Sequence, residues 1–439
     1  MTIKIGNIKL SNSKWIYVIL ILVYKIALDI VFCRYISPIY SYYMNLKYIF
    51  NMEKVIYSYC MLFIVLFFTY YEINNLTSIT LSVELVIMYI PMLTLYSYSD
   101  RNTKYMITVT LCYCMQSIIA KCYYLHEREI LEILEIKPAW AKTFYKILIF
   151  FLLITAFMYT FIKYGYPSLA AFNLVDVYSI RSGISYTFPF NYIVPWVFKI
   201  VCIFICITGL YHKKWAMVLI SISMQLFFFL IYANKSTLFS LILVLGIYWG
   251  IKKWNIINAM PIGLILLAVV STVMYKQFGV YSFLSYGIRR TLFVPATIKF
   301  AYYDYFSQNE LLHFADNTIG HLLNIQSPYE LEAPKIIAEY LGVPNSHCNT
   351  GYWGDAYANF GIFGVVIFSI IVIWLLICIE KLTKRISQQI VIPIVTVMVY
   401  NLNDSALFTW ILGGGGALMI FMFWLYRYCD KGMRDDKEI

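Results

Sequence analysis

Two long apolar stretches, Phe144–Ile162 and Val365–Ile379, constrain this sequence more than any other feature. About twenty apolar residues span the hydrocarbon core of a bilayer, and both stretches reach or approach that length without an interior acid. Similar runs recur along the chain, and spans are expected near 15–33, 54–71, 78–96, 105–120, 144–162, 191–210, 214–232, 236–250, 257–275, 360–379, 390–408 and 411–427. Only 13% of the 439 residues are charged, against 61% hydrophobic. Globular proteins carry about 25% charged residues, so a soluble fold of this size could not cover itself. The expectation is an all-α integral membrane protein of about twelve transmembrane helices, one polytopic domain over 1–439.

Lys4, Lys9 and Lys14 precede the first apolar run, as in a signal peptide. The run carries no small-residue cleavage site and continues past Lys25 and Asp29, so an uncleaved first span is expected. The ten cysteines fall mostly inside apolar spans (Cys60, Cys112, Cys114, Cys202, Cys206, Cys378), where they act as small apolar residues. Cys348 stands alone in the large loop, so no disulfide framework is expected.

Positive charge stays on the cytoplasmic side in short loops. With both termini inside, Lys213-Lys214, Lys252-Lys253, Lys381, Lys384, Arg385 and the tail Arg427, Lys431, Arg434 and Lys437 all fall inside. The segment at about 121–143, with Glu127, Arg128, Glu129, Glu132 and Glu135, reads as a cytoplasmic amphipathic helix. The net charge of +11 then follows from topology, and no nucleic-acid partner is implied. Two loops fall outside, a medium one at about 163–190 and a large one at about 276–359. They hold Lys163, Arg181, Lys276, Arg289, Arg290, Lys299 and Lys335, and clustered arginines on that face suggest an anion such as a phosphate.

The large loop carries the candidate chemistry. Its first half, from Gly287 to Phe306, predicts a helix with a kink at Pro295. Arg289 and Arg290 there suit a diphosphate through forked hydrogen bonds, or they snorkel to lipid headgroups. Its second half ends in a run of polar, glycine and aromatic residues from Asn345 to Gly361. Asp355 is placed as an N-cap of the following span, whose helix start is a ready anion site. Gly354, Ala358, Gly361 and Gly364 share one face at helical spacing, as close packing requires. His347 and Asp355 are the groups able to take a proton from an acceptor hydroxyl, although a lone loop histidine is more often solvated. Asp316 and His321 are five residues apart, so no metal pair forms and no metal or other cofactor is expected.

Within the spans, Lys25 and Asp29 sit four apart and should pair. Glu84, Lys146 and Lys199 are buried-charge candidates without a partner that sequence can name. Asn401, Asn403 and Asp404, ahead of Gly413–Gly416, mark either a functional depth or a break between two helices.

Three segments resemble a known family. They are Asp176–Arg181, then Arg289–Ala296 with Tyr302–Ser307, and most specifically Asn349–Gly361. The chain resembles the Wzy-type oligosaccharide repeat unit polymerases of bacterial O-antigen, capsule and exopolysaccharide. That resemblance implies a GT-C-like fold shared with O-antigen ligases, set in the bacterial cytoplasmic (inner) membrane with periplasmic loops. It implies a metal-independent glycosyltransferase that moves a glycan from undecaprenyl diphosphate onto a fresh lipid-linked repeat unit. Arg181, Arg289 and Arg290 would then bind the diphosphate, and His347 or Asp355 would activate the acceptor. Asn349, Thr350, Tyr352, Trp353, Tyr357 and Asn359 would contact sugar and acceptor. The partners implied are the lipid-linked oligosaccharide, membrane lipids and a chain-length regulator protein. An O-antigen ligase and a lipid-linked oligosaccharide flippase are the competing readings.

Overall fold

The computed structural model describes residues 13–126, 137–172, 180, 183–317, 320 and 323–429. Among them every regular element is helical. In chain order these are α1 (Lys14–Tyr40), α2 (Met52–Phe68), α3 (Leu76–Tyr98), α4 (Thr103–Leu125), α5 (Pro138–Tyr164), α6 (Phe190–Tyr211), α7 (Trp215–Tyr232) and α8 (Lys235–Ile251). There follow α9 (Ile256–Phe278), α10 (Phe283–Phe293), α11 (Val294–Phe306), α12 (Ala333–Tyr340), α13 (Tyr352–Thr383), α14 (Gln388–Asn401) and α15 (Leu407–Tyr426).

Nine of the described helices are long and apolar enough to cross a membrane: α1, α3 to α7, α9, α13 and α15. This is the architecture of an all-α, multi-pass membrane protein. Three more of the expected spans fall on shorter helices, α2 and α8 of 17 residues each and α14 of 14. At 1.5 Å per residue, α14 covers only about 21 Å, less than the hydrocarbon core of about 30 Å.

The starts of the helices are written in the sequence. Asn51, Asn75, Asn102 and Asn255 each accept a backbone N–H of the following first turn through the side-chain oxygen, as an N-cap does. Gly165 and Gly279 end α5 and α9 at φ of 72° and 66°, a region that glycine enters without a Cβ penalty.

Two segments differ from expectation. Lys121–Leu125 continues α4, and Pro138–Thr143 already belongs to α5. The charged residues predicted for an amphipathic helix (Glu127, Arg128, Glu129, Glu132, Glu135) lie outside the described residues. The predicted large loop is itself mostly built, since α10, α11 and α12 all fall within it.

The helices gather into two compact units. The first takes the described residues of Met1–Arg128, Trp254–Ile377 and Val399–Leu407, and the second those of Glu129–Lys253, Cys378–Met398 and Phe408–Ile439. In the first unit α1 packs on α9, α2 on α3, and α9 on α10. The predicted Lys25–Asp29 pair forms inside it, with N···O distances of 2.5 and 2.7 Å. Tyr59 and Thr94 hydroxyls donate to the same carboxylate at 2.8 and 2.9 Å. A buried ion pair persists in an apolar setting only with its remaining lone pairs filled, and here they are.

In the second unit α6 packs on α7 and α5 on α15. Pro195 sits inside α6, and the helix widens to π form over Val197–Val201 directly after it. Gln225 and Ser221 of α7 donate to the carbonyls of Phe198 and Cys202. Polar side chains of one helix thereby satisfy the disturbed ladder of another, as backbone in an apolar medium requires.

Candidate functional site

Pro295 organises the site in the first unit. Proline has no N–H, so it cannot serve the carbonyl four residues before it, which is that of Thr291. Ahead of Pro295 the chain runs in π-helical register from Phe283 to Phe293 and passes into α11 without leaving helical dihedrals. The side-chain amide of Asn403 reaches the Thr291 carbonyl at 3.4 Å. Asn403, 1% exposed, also accepts from the Lys299 ammonium, through Oδ1 at 2.7 Å and its own carbonyl at 2.8 Å. Lys299 reaches back to the Pro295 carbonyl at 3.5 Å. One bracket thus ties α10, α11 and the turn after α14.

Gly351 brings the end of the large loop against this bracket. A Cβ there would lie 2.6 Å from the carbonyl oxygens of both Leu402 and Asn403, so the position admits hydrogen only. Directly after it, Tyr352 donates its hydroxyl to Glu84 of α3. Gln116 of α4 donates to the same hydroxyl at 3.1 Å and to the Ser369 carbonyl at 3.2 Å. Glu84, unpartnered in the sequence reading, therefore finds its partner in the motif singled out as most specific. Lys299 adds its positive charge nearby.

The structure sorts the predicted site residues by what they are already bonded to. Arg289 is committed: its Nη2 donates to Ser285 Oγ at 3.1 Å, and its guanidinium stacks over Tyr40 and Tyr43 at 4.5 and 4.7 Å. Arg290 is exposed and makes no hydrogen bond to another described residue, while its charge acts on Asp404 and Tyr400. Arg181 lies outside the described residues.

Asp355 is not the N-cap of α13, which already begins at Tyr352. Its carboxylate accepts the backbone N–H of Leu407 and the side-chain amide of Asn359, the latter at 3.1 Å. Asp355 therefore caps the start of α15 rather than of its own helix. Asn359 is buried, and its Oδ1 accepts from the Phe314 backbone at 2.7 Å. Helix α13 then breaks at Phe360 and Gly361, where Gly361 takes φ 59°. The expected stripe of small residues through Gly361 is interrupted there, although Gly354 and Gly364 still pack closely, on Thr350 and on the Ala356 carbonyl.

Tyr352 and Trp353, expected to stack on sugars, have no exposed surface at all. Their rings fill the protein interior, and no face is left open for a sugar. Tyr357 is buried against Tyr303 and Tyr105, with ring centroids 4.6 and 5.8 Å away. Thr350 is buried, whereas His347 and Asn349 are exposed on the strand of chain that leads to Gly351. His321 lies outside the described residues.

Asp404 completes the arrangement. Its side chain is open to solvent, yet protein surrounds it closely enough to push its carboxyl up to about 6, against the opposite pull of Lys299 and Arg290. Burial likewise lowers Lys299 to about 8, while Asp404 and Glu84 act to raise it. The turn presents one spare, exposed carboxylate, on which the charges of an exposed guanidinium and a buried ammonium both act. Such a set can hold an anion against the cations and accept a proton on the carboxylate.

Sequence reasoning noted Lys299 only as a cation of the outer loop, and left Asn403 and Asp404 between a functional and a helix-break role. The structure places Asn403 and Asp404 in the turn that follows α14, where Asn403 is held by Lys299 and Thr291. Comparison with protein-family models, with curated proteins and with solved structures finds no match to this chain.

Proposed function

We propose that this protein is a membrane glycosyltransferase that polymerises lipid-diphosphate-linked oligosaccharide repeat units. The observation that carries the reading is the uncommitted Arg290, whose charge acts together with that of buried Lys299 on the exposed Asp404 of a multi-pass membrane protein. Cleaving an anomeric bond to a diphosphate builds negative charge on the departing oxygen. Preorganised cations in a water-poor site stabilise such charge, and Arg290 offers a planar fork suited to phosphate oxygens. The similarity of Arg289–Ala296 and Asn349–Gly361 to the Wzy-type segments points to the same reaction. In this reading Arg290 meets the diphosphate while buried Lys299 adds its charge from within the bracket, and the exposed His347 and Asn349 lie toward the sugars.

Deleting the gene and comparing surface glycan with extracted lipid-linked sugars tests the reading. Loss of long chains, with single repeat units retained on the carrier or capping the surface lipid, is the expected outcome. Long chains held on undecaprenyl diphosphate would instead identify a ligase, and single units held on the cytoplasmic leaflet a flippase.

A further inference from the structure

Three carboxylates stand in this part of the first unit: Glu84 and Asp404, which act on Lys299, and Asp355, on the helix that follows Gly351. Their bonding separates them. Glu84 is buried and receives the Tyr352 hydroxyl. Asp355 receives the Leu407 N–H and the Asn359 amide. Asp404 is exposed, and its side chain makes no hydrogen bond or ion pair with another described residue. A general base needs a free lone pair that substrate can reach. Only the third carboxylate meets both conditions.

Its surroundings fit the same role. The charged and titratable groups facing it are Arg290 from α10, Lys299 from α11 and Tyr400 from α14. The backbone that carries it is fixed, because Asn403 is held by Lys299 and Thr291 and Gly351 presses on the carbonyls of Leu402 and Asn403. A base on so rigid a turn needs little reorganisation as a proton arrives, which is what positioned catalytic groups supply.

We propose that Asp404, rather than Asp355 or His347, takes the proton from the attacking sugar hydroxyl, with Arg290 beside it to receive the departing diphosphate. This rests on the glycosyltransferase reading above. In the step, the acceptor oxygen forms a bond to the anomeric carbon of the donor. The bond from that carbon to the diphosphate oxygen breaks, and its electron pair leaves with the diphosphate. The hydroxyl proton passes to the Asp404 carboxylate and from there to the water that its exposed side admits.

The test uses the full-length protein in proteoliposomes, supplied with the lipid extract of the deletion strain, which holds unpolymerised repeat units. Polymer is read as a glycan ladder against time. Asp404→Asn is expected to slow polymerisation by at least about 100-fold, while the amount of lipid-linked sugar retained by the protein stays at the wild-type level. Asp404→Glu recovers part of the rate. The wild-type rate rises with pH, half of the rise falling at about 6, since only the ionised carboxylate accepts a proton. A ladder formed by Asp404→Asn at close to the wild-type rate overturns the assignment. Should that variant fail to reach the membrane, a flat wild-type profile across this pH range overturns it equally. A wild-type protein that makes no ladder at all removes the polymerase reading itself, a result distinct from an active Asp404→Asn.

Discussion

The Tyr352 hydroxyl donates to the Glu84 carboxylate, joining two buried residues 268 positions apart in the sequence. The bond ties the start of α13 to the middle of α3, so its loss should be felt as stability before it is felt as chemistry. Removing one partner strands the other in an apolar interior, at a cost of about 1–3 kcal/mol. Tyr352→Phe should lower the unfolding temperature in detergent accordingly. The double variant with Glu84→Gln should be more stable than the sum of the single changes, and additivity in that cycle would show that the pair is not coupled.

Arg289 and Arg290 should behave differently although they are neighbours. Arg290→Ala is expected to abolish long glycan chains while the protein accumulates normally in the membrane. Arg289→Ala loses the stack over Tyr40 and Tyr43, worth about 1 kcal/mol, and should lower stability with chains still made. Equal loss of polymer from both would reject the division of labour.

Asp355→Asn should keep polymer synthesis near normal, because an amide oxygen still accepts the Leu407 N–H. Asp355→Ala removes the acceptor and should cost about 0.5–2 kcal/mol, as other lost caps do. Thermal unfolding of the two variants separates the cap from a catalytic carboxylate, which Asn could not replace.

Lys299 gives a pH signature. Burial holds its folded value near 8, below the 10.5 of an unfolded lysine, so between these values the unfolded chain binds the extra proton. Stability contributed at this site therefore rises as pH increases through that window. Wild-type protein should gain on Lys299→Met as pH is raised from about 8 to about 10. A constant difference across that range would place the ammonium in contact with water.

Gly351→Ala inserts a methyl group 2.6 Å from two carbonyl oxygens. Overpacking of this kind costs about 1–3 kcal/mol, and the backbone of the Asp404 turn must move to relieve it. Polymerisation should fall further than stability does, read as ladder formation against unfolding temperature in the same preparation.

What was legible in the sequence was local. Apolar runs mark spans because hydropathy is a property of neighbours, and Lys25 with Asp29 could be paired because four residues is one helical turn. Asn51, Asn75, Asn102 and Asn255 announce helix starts for the same reason. The partner of Glu84 and the use of Asn403 could not be read, since both depend on contacts between distant segments. Nor could the donor to the Thr291 carbonyl, which Pro295 leaves unserved, be read, since it arrives from Asn403, 112 residues later. Arg289 and Arg290 look equivalent as letters, and only the folded chain shows Tyr40 and Tyr43 claiming one of them.

Much of the bracing in the first unit ends on main-chain oxygen. Lys299 donates to the carbonyls of Asn403 and Pro295, Asn403 to Thr291, Tyr302 to Cys348, Gln116 to Ser369 and Arg101 to Asn45. A carbonyl is present whatever side chain its residue carries, so these donors read the path of the chain and not the spelling of its far side. Half of each contact is thereby exempt from selection on residue type. Related chains can drift at Thr291, Cys348, Ser369 or Asn45 and keep the same bracing, provided the donors and the course of the backbone survive.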